Sequence, residues 1–113
     1  MQQIELVKEE EQETGLTIGS VQYNIRLFAF RNMMYIDISE NNQDIVLGKR
    51  VMPNVWIVPD YATQGEGNMR FECYKADGND YVWWEQFNSK FRLTTYTQAE
   101  IDEMEPKEEV STE

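Results

Sequence analysis

Short segments in which apolar and polar residues alternate are the feature that most constrains the fold. Residues 21–27 alternate strictly, and residues 34–38 repeat the pattern after a short turn at Arg31-Asn32. A period of two residues is typical of a β-strand with one buried face, so the simplest structure is a hairpin of these two segments. The intervening residues 28–30 are apolar on both faces, which predicts that this end of the hairpin is covered.

The rest of the body continues as short apolar segments separated by turn residues. Pro53 and Pro59 flank one of these segments, and because proline cannot donate a ladder hydrogen bond, we expect an edge strand or a covering segment there. An Asp-Gly step predicts a tight turn that joins strands at residues 68–75 and 80–84 into a second hairpin. A strand at residues 91–96 closes the series.

A short helix is predicted after the last strand, because Thr97 and Glu100 have the spacing of a capping box. Regularly spaced short strands with one helix predict an all-β fold, a single small antiparallel sandwich or partly open barrel with one short C-terminal helix. We expect three parts: an acidic N-terminal strand or arm (residues 1–14), a β domain (residues 15–97), and a short helix with an acidic tail (residues 98–113).

The charge of the chain lies at its two ends. The 113 residues have a net charge of -11, of which residues 1–13 contribute -4 and residues 100–113 contribute -6, leaving -1 for the body. Nucleic-acid binding needs clustered lysine and arginine, and these are scattered here, so we expect no nucleic-acid partner. The acidic tail is either a solvated segment or an arm that lies on a basic partner surface.

The residue types of common catalytic and metal sites are missing. The chain has no histidine, which excludes Ser-His and Cys-His couples and histidine-liganded zinc. A single cysteine, Cys73, cannot form an internal disulfide, and its alternation with apolar residues indicates a core position. Gly65-Glu66-Gly67 lacks the lysine that follows a phosphate-binding loop. We therefore expect no enzymatic activity, no cofactor and no metal.

The sequence also lacks the signals of a membrane or secreted protein. No apolar run approaches the roughly 20 residues that a membrane helix needs. The first residues do not have the basic start and apolar stretch of a signal peptide. We therefore expect no membrane partner, and a cytosolic site of synthesis is the default.

The aromatic residues supply the candidate binding surface. Trp83 and Trp84 are adjacent, so in a strand their rings would point to opposite faces, and one core can accept only one of them. The second ring is covered by another part of the chain or belongs to a protein interface, where tryptophan and tyrosine serve as anchors. Trp56 and Tyr61 are further candidates. We predict a protein interface that includes these four aromatic residues.

Several landmarks follow one another in order along the body. Residues 34–38 form an aromatic-x-aspartate strand, residues 45–48 an apolar strand with glycine, and residues 51–54 an apolar-x-Pro step. A Gly-rich loop at residues 65–67 and an arginine-leucine-x-x-tyrosine strand within residues 91–96 come next. In the order and spacing of these landmarks, the sequence resembles the small baseplate plug proteins of contractile-tailed bacteriophages.

This resemblance implies a structural virion protein near the central axis of the tail baseplate, made in the host cytoplasm and without enzymatic activity. It also implies hub and tube-initiating proteins as partners, with several copies in each particle. A closed assembly of repeated subunits would place these copies in a threefold or sixfold arrangement. The Glu-rich stretch at residues 8–13 and the acidic tail after Met104 depart from the family pattern.

Two other classes of function remain open. An acidic inhibitor or decoy that mimics nucleic acid would need carboxylates arrayed on a folded surface at phosphate-like spacing, whereas the acids of this chain are concentrated at its ends. A lectin-like binder could use exposed aromatic residues, but we would expect clusters of polar hydrogen-bonding side chains beside them.

Overall fold

The strands form two antiparallel sheets, one with four strands and one with three, in a computed structural model that describes residues 1–59, 65–74 and 81–104. The two sheets share one hydrophobic core without closing into a barrel. This architecture confirms the predicted small all-β sandwich with one short C-terminal helix. The described elements are β1 (Gln2–Ile4), β2 (Glu11–Ile18), β3 (Val21–Phe30), β4 (Met33–Glu40), β5 (Gln43–Arg50), β6 (Gly67–Cys73), β7 (Phe91–Thr97) and α1 (Gln98–Met104).

The four-stranded sheet is a meander in which each strand pairs with the next, in the order β2-β3-β4-β5. The predicted hairpin of β3 and β4 lies at its centre and is confirmed. Arg31 and Asn32 form its two-residue turn, with φ angles of 52° and 65°. Asn41 and Asn42 repeat this backbone between β4 and β5. Turns with two positive φ angles match the right-handed twist of the strands they join.

The three-stranded sheet has β7 at its centre, between β1 and β6. The hairpin predicted between residues 68–75 and 80–84 is wrong, because β6 pairs with β7 and the chain forms a 3₁₀ turn at Trp84–Gln86. The predicted Asp-Gly turn, residues 77–78, lies outside the described residues. The strand that pairs with β6 is therefore β7, and not the strand predicted at residues 80–84.

The segment between the two prolines, residues 53–59, runs along the second edge of β6. The N–H of Asn54 donates to the carbonyl of Phe71 at 2.6 Å, and the N–H of Ile57 donates to the carbonyl of Met69 at 3.0 Å. These bonds satisfy carbonyls that an uncovered edge would leave to water. The prediction that this segment is an edge strand or a cover is confirmed.

The core fills the space between the sheets. Ile36 of β4 and Phe71 of β6 are fully buried, which confirms the inward faces that the alternation predicts. The ring of Phe71 stacks on that of Phe87, with 5.6 Å between ring centres. Cys73 is half-buried and packs at the margin of the core. The largest fully buried side chains come from both sheets and from the connections: Tyr23, Phe71, Phe87, Phe91, Ile25, Leu27, Met34, Ile36, Ile38, Met69, Leu93 and Val58.

Three side-chain amides among the described residues take the place of a neighbouring strand where the backbone is irregular. Each amide accepts a hydrogen bond from the N–H of one residue and donates another to the carbonyl of that same residue. The pairs are Asn68 with Val58 (2.9 and 2.7 Å), Asn88 with Leu6 (3.2 and 2.5 Å) and Gln12 with Val7 (3.0 and 2.7 Å). Backbone groups that leave the ladders thus keep partners, which matters most for the buried pair of Asn68 and Val58.

The helix α1 begins with the predicted capping box. The N–H of Thr97 donates to Oε1 of Glu100 at 2.9 Å, and the N–H of Glu100 donates to Oγ1 of Thr97 at 3.3 Å. The N–H of Gln98 donates to the carbonyl of Glu66, which ties the helix to the loop before β6. In the part of the chain that the structure describes, no helix is long and apolar enough to cross a membrane.

Asn68→Ala removes the amide that pairs with Val58 and leaves three buried backbone groups without this partner, the N–H and carbonyl of Val58 and the N–H of Met69. We expect the free energy of unfolding to fall by roughly 2–4 kcal/mol. Chemical denaturation checks this value. The control is Asn24→Ala, which removes an exposed asparagine of β3 and should change stability by less than about 0.5 kcal/mol. Equal effects of the two substitutions would contradict the role given to Asn68.

Candidate interaction surface

The structure places the predicted site residues in two locations and leaves one of them outside the described residues. Trp56 lies on the segment between the two prolines, beside β6. Trp83 and Trp84 lie together just before β7, with 6.1 Å between their ring centres and a 45° angle between the ring planes. Tyr61 falls outside the described residues. The sequence predicted one surface with four aromatic residues, and we describe Trp56 and the Trp83-Trp84 pair below as two separate sites.

The first site is a set of charged and aromatic side chains centred on the outer face of the three-stranded sheet. We call it the outer network, and its members are Trp56, Arg70, Glu72, Tyr74, Arg92 and Tyr96. Residues 70, 72 and 74 alternate outward along β6 and its end, while residues 92 and 96 lie on β7. The strand period thus brings these side chains to one face, opposite the core.

The Arg70 guanidinium connects the aromatic and acidic parts of the outer network. It lies 4.5 Å from the centre of the Trp56 ring and 5.3 Å from the centre of the Tyr96 ring. The two rings meet edge to face at 5.6 Å. Nε of Arg70 also donates to a carboxylate oxygen of Glu72 at 3.0 Å. A cation held over the face of tryptophan is attracted by the ring and restricts the movement of both side chains.

Glu72 is the hydrogen-bond acceptor at the centre of the outer network. Besides Arg70, it accepts hydrogen bonds from the hydroxyl groups of Tyr96 and Tyr74, the latter at 3.0 Å. Burial alone would raise the pKa of Glu72, but these hydrogen bonds and the Arg70 charge outweigh burial and lower the pKa below its ordinary value. Burial and the hydrogen bond to Glu72 raise the pKa of both Tyr96 and Tyr74. Glu72 is therefore held as a carboxylate at neutral pH.

Arg92 extends the outer network along β7. Its guanidinium lies 4.4 Å from the centre of the Tyr74 ring, and 47% of Tyr74 is exposed. The outer network therefore combines tryptophan, tyrosine and arginine, the residue types that dominate binding energy in protein interfaces. Within the described residues, no group of three or more histidine, cysteine, aspartate or glutamate side chains is placed to hold a metal ion.

The second site is the Trp83-Trp84 pair. The prediction that the two rings point to opposite faces of a strand is wrong. Trp84 is the first residue of the 3₁₀ turn and does not lie in a strand. Both tryptophans are half-buried and pack against the core. Nε1 of Trp84 is buried and has no hydrogen-bond partner among the residues that the structure describes. Both rings therefore cover the end of the core while keeping part of their surface exposed.

A third aromatic group was missed by the sequence analysis. Phe28 stacks on Tyr35 at 5.8 Å, and Phe30 meets Tyr35 edge to face at 6.3 Å. The expectation that residues 28–30 are covered is wrong, because Phe30 is 55% exposed. The period of two places residues 28, 30 and 35 at outward positions of their strands, which would have indicated this group. Because the strand end is apolar on both faces, the sequence analysis predicted a covered end instead.

Comparison with known protein families identifies the relatives of this chain. The family model described as cyanophage baseplate Pam3 plug gp18 matches residues 1–98. The chain belongs to this family. No curated protein matches the sequence. The match spans every strand of both sheets and confirms the resemblance drawn from the landmarks of the body.

Membership of this family shows the general role of the chain. A baseplate plug protein is a structural component of the virion, located in the tail baseplate and associated with other baseplate components. The match ends at Gln98, the first residue of α1, so the acidic residues that follow lie beyond it. The body of the sandwich is therefore the part shared with the family, and both tryptophan sites lie within that body.

Glu72→Gln should make stability less dependent on pH. Because the folded pKa of Glu72 is lower than the ordinary value of 4.5, its ionised form stabilises the fold fully above about pH 4.5. That contribution is lost as the pH falls through the folded pKa. The variant should therefore be less stable than the parent at pH 7, and the difference should narrow below pH 4.5 in denaturation curves.

The matched control for Glu72→Gln is Glu85→Gln, which neutralises an exposed carboxylate of the 3₁₀ turn. It should change neither the stability at pH 7 nor its slope with pH by a measurable amount. A stability difference for Glu72→Gln that stays constant from pH 7 to pH 3 would show that the charge of Glu72 does not stabilise the outer network.

Proposed function

We propose that this plug protein works by contact alone, binding the hub and tube-initiating proteins of the baseplate through a surface that includes Trp56, Tyr61, Trp83 and Trp84. It is present in several copies around the tail axis, is made in the host cytoplasm, and has no enzymatic activity. The observation that carries this proposal is the position of Trp56, held on an outer face between Arg70 and Tyr96.

The backbone around Trp56 supports an anchoring role. The segment that carries it is fixed to β6 by two backbone hydrogen bonds and by the Asn68 amide. Nζ of Lys49 adds a bond to the carbonyl of Ile57. An anchor that is already ordered before binding loses little conformational freedom when the partner arrives, so more of its contact energy contributes to affinity.

The Trp83-Trp84 pair extends the proposed surface. The pair precedes β7 in the chain, and Tyr74 follows the end of β6, which pairs with the start of β7. The backbone N–H of Tyr74 donates to the carbonyl of Lys90 at this end, and Tyr81 nearby in the chain is 59% exposed. Half-buried and exposed aromatic rings together suit an interface with an apolar centre.

The charge distribution favours contact with baseplate proteins over mimicry of nucleic acid. The body of the chain carries a net charge of only -1. On the outer network, the carboxylate of Glu72 is paired with Arg70 and two tyrosine hydroxyls. A nucleic-acid mimic needs unpaired carboxylates at regular spacing, whereas the carboxylate of Glu72 is paired.

Trp56→Ala should weaken binding to purified hub protein while leaving the sandwich folded. Loss of a central aromatic anchor costs about 2 kcal/mol or more, which corresponds to roughly a 30-fold increase in the dissociation constant. Trp56→Phe should retain part of the affinity, because phenylalanine keeps a ring beneath the Arg70 guanidinium. Calorimetric or optical binding measurements with folded variants check both values.

The matched control is Leu47→Ala, which removes an exposed apolar side chain from the four-stranded sheet. It should bind hub protein as tightly as the parent. The proposed surface is incorrect if Trp56→Ala binds with unchanged affinity. The proposed partner is incorrect if the parent protein binds neither hub nor tube-initiating protein.

A further inference from the structure

The tip of the β3–β4 hairpin carries a surface that the proposed function does not use. We call it the tip patch, and its members are Phe28, Phe30, Arg31, Tyr35 and Arg50. The Arg31 guanidinium lies 5.2 Å from the centre of the Phe30 ring, and Arg50 is the register partner of Tyr35 on β5. Both arginines are exposed, and Phe30 is 55% exposed. The patch therefore offers aromatic rings beside two cationic groups.

The backbone at Arg31 is unfavourable for the residue it contains. Its φ of 52° lies in the left-handed region, where asparagine or glycine is preferred and a long side chain costs conformational energy. The equivalent turn at the other end of β4 has asparagine at both positions, with φ angles of 53° and 64°. Arginine at this position is therefore conformationally unfavourable, whereas the other turn of the same sheet has the preferred asparagine. Such conflicts concentrate at functional positions.

The charges of the tip patch are not neutralised within the described chain. Arg26, the next arginine along β3, is paired with Glu11 and Asp37 at 2.8 and 3.1 Å. Arg31 and Arg50 make no ion pair with any carboxylate of the described residues. Glu10 lies nearby through its backbone, whose carbonyl accepts the N–H of Ala29. The patch therefore suits an acidic segment that also carries an apolar side chain.

We propose that the tip patch binds the acidic segment at residues 105–113 of a second copy of this chain. Glu108 and Glu109 in that segment supply adjacent carboxylates for the two arginines, and Val110 supplies an apolar side chain for the exposed ring of Phe30. Arginine binds carboxylates through paired hydrogen bonds, and the surrounding aromatic rings reduce competition from water.

A second copy supplies the segment more readily than the same chain does, because the chain's own segment comes near the patch only when it is almost fully extended along β3. The helix α1 begins beside the β2–β3 turn, since Gln98 bonds to Glu66, whose carboxylate accepts the N–H of Ser20. The ten residues of β3 span about 30 Å from that turn to Phe30. Seven helical residues cover roughly 10 Å, and the five residues from Met104 to Glu109 cover at most about 17 Å.

Charge reversal in the full-length protein tests this proposal. Arg31→Glu should raise the dissociation constant for self-association by roughly tenfold or more, as measured by sedimentation at low salt. Replacing Glu108 and Glu109 together by lysine should have a similar effect. Combining these three substitutions with Arg50→Glu should restore self-association to near the parent value, because opposite charges then face each other again at both arginine positions. Gln22→Glu, which adds a negative charge near the other end of β3, is the control and should change little.

Arg31→Asn separates binding from stability. Asparagine fits the left-handed backbone, so the variant should melt a few degrees higher than the parent, roughly 2–6 °C. Its self-association should nevertheless weaken, because the cationic group is lost. A purely structural role for Arg31 would give the rise in melting temperature without any change in self-association.

Three results would overturn the proposal. The parent protein could remain monomeric at every concentration tested, or Arg31→Glu could leave self-association unchanged. In the third case, Arg31→Glu would weaken binding to hub protein alone, which would assign the patch to a different occupant. Because self-association is measured on the purified chain without hub protein, failure here is distinguishable from failure of the proposed function.

Discussion

The pairing of the Asn68 amide with the backbone of Val58 is the interaction on which the candidate surface depends. Asn68 is 4% exposed and lies on β6, so its amide acts as a strand neighbour inside the structure. Together with the backbone bonds of Asn54 and Ile57, it fixes the proline-flanked segment along the edge of β6. Trp56 can lie over Arg70 only because this segment is held there.

Arginine is used differently in the outer network and in the tip patch. On the three-stranded sheet, Arg70 is satisfied by Glu72 and by aromatic rings, which gives an ordered surface before any partner binds. On the four-stranded sheet, Arg31 and Arg50 have no carboxylate partner among the described residues. The first face thus suits an aromatic anchor, and the second suits an acidic segment.

Local patterns in the sequence predicted most of the fold, whereas the outer network depends on long-range pairing. The period of two in residues 21–38 predicted the central hairpin and its buried face. The spacing of Thr97 and Glu100 predicted the start of α1. The pairing of β6 with β7 could not be read from adjacent segments, because it joins strands separated by a 3₁₀ turn. Selecting Trp56 relied on residue type and flanking prolines, and its contacts with β6 and β7 became visible only in three dimensions.

We propose that the outer network around Trp56 is a contact surface in the assembled baseplate. A cryo-electron microscopy reconstruction of the intact tail baseplate, at a resolution that shows side chains, would reveal what this surface contacts. We expect the Trp56 ring and the Arg70 guanidinium to be buried against a hub or tube-initiating protein. A baseplate in which this face of the plug protein remains exposed to solvent would contradict this proposal.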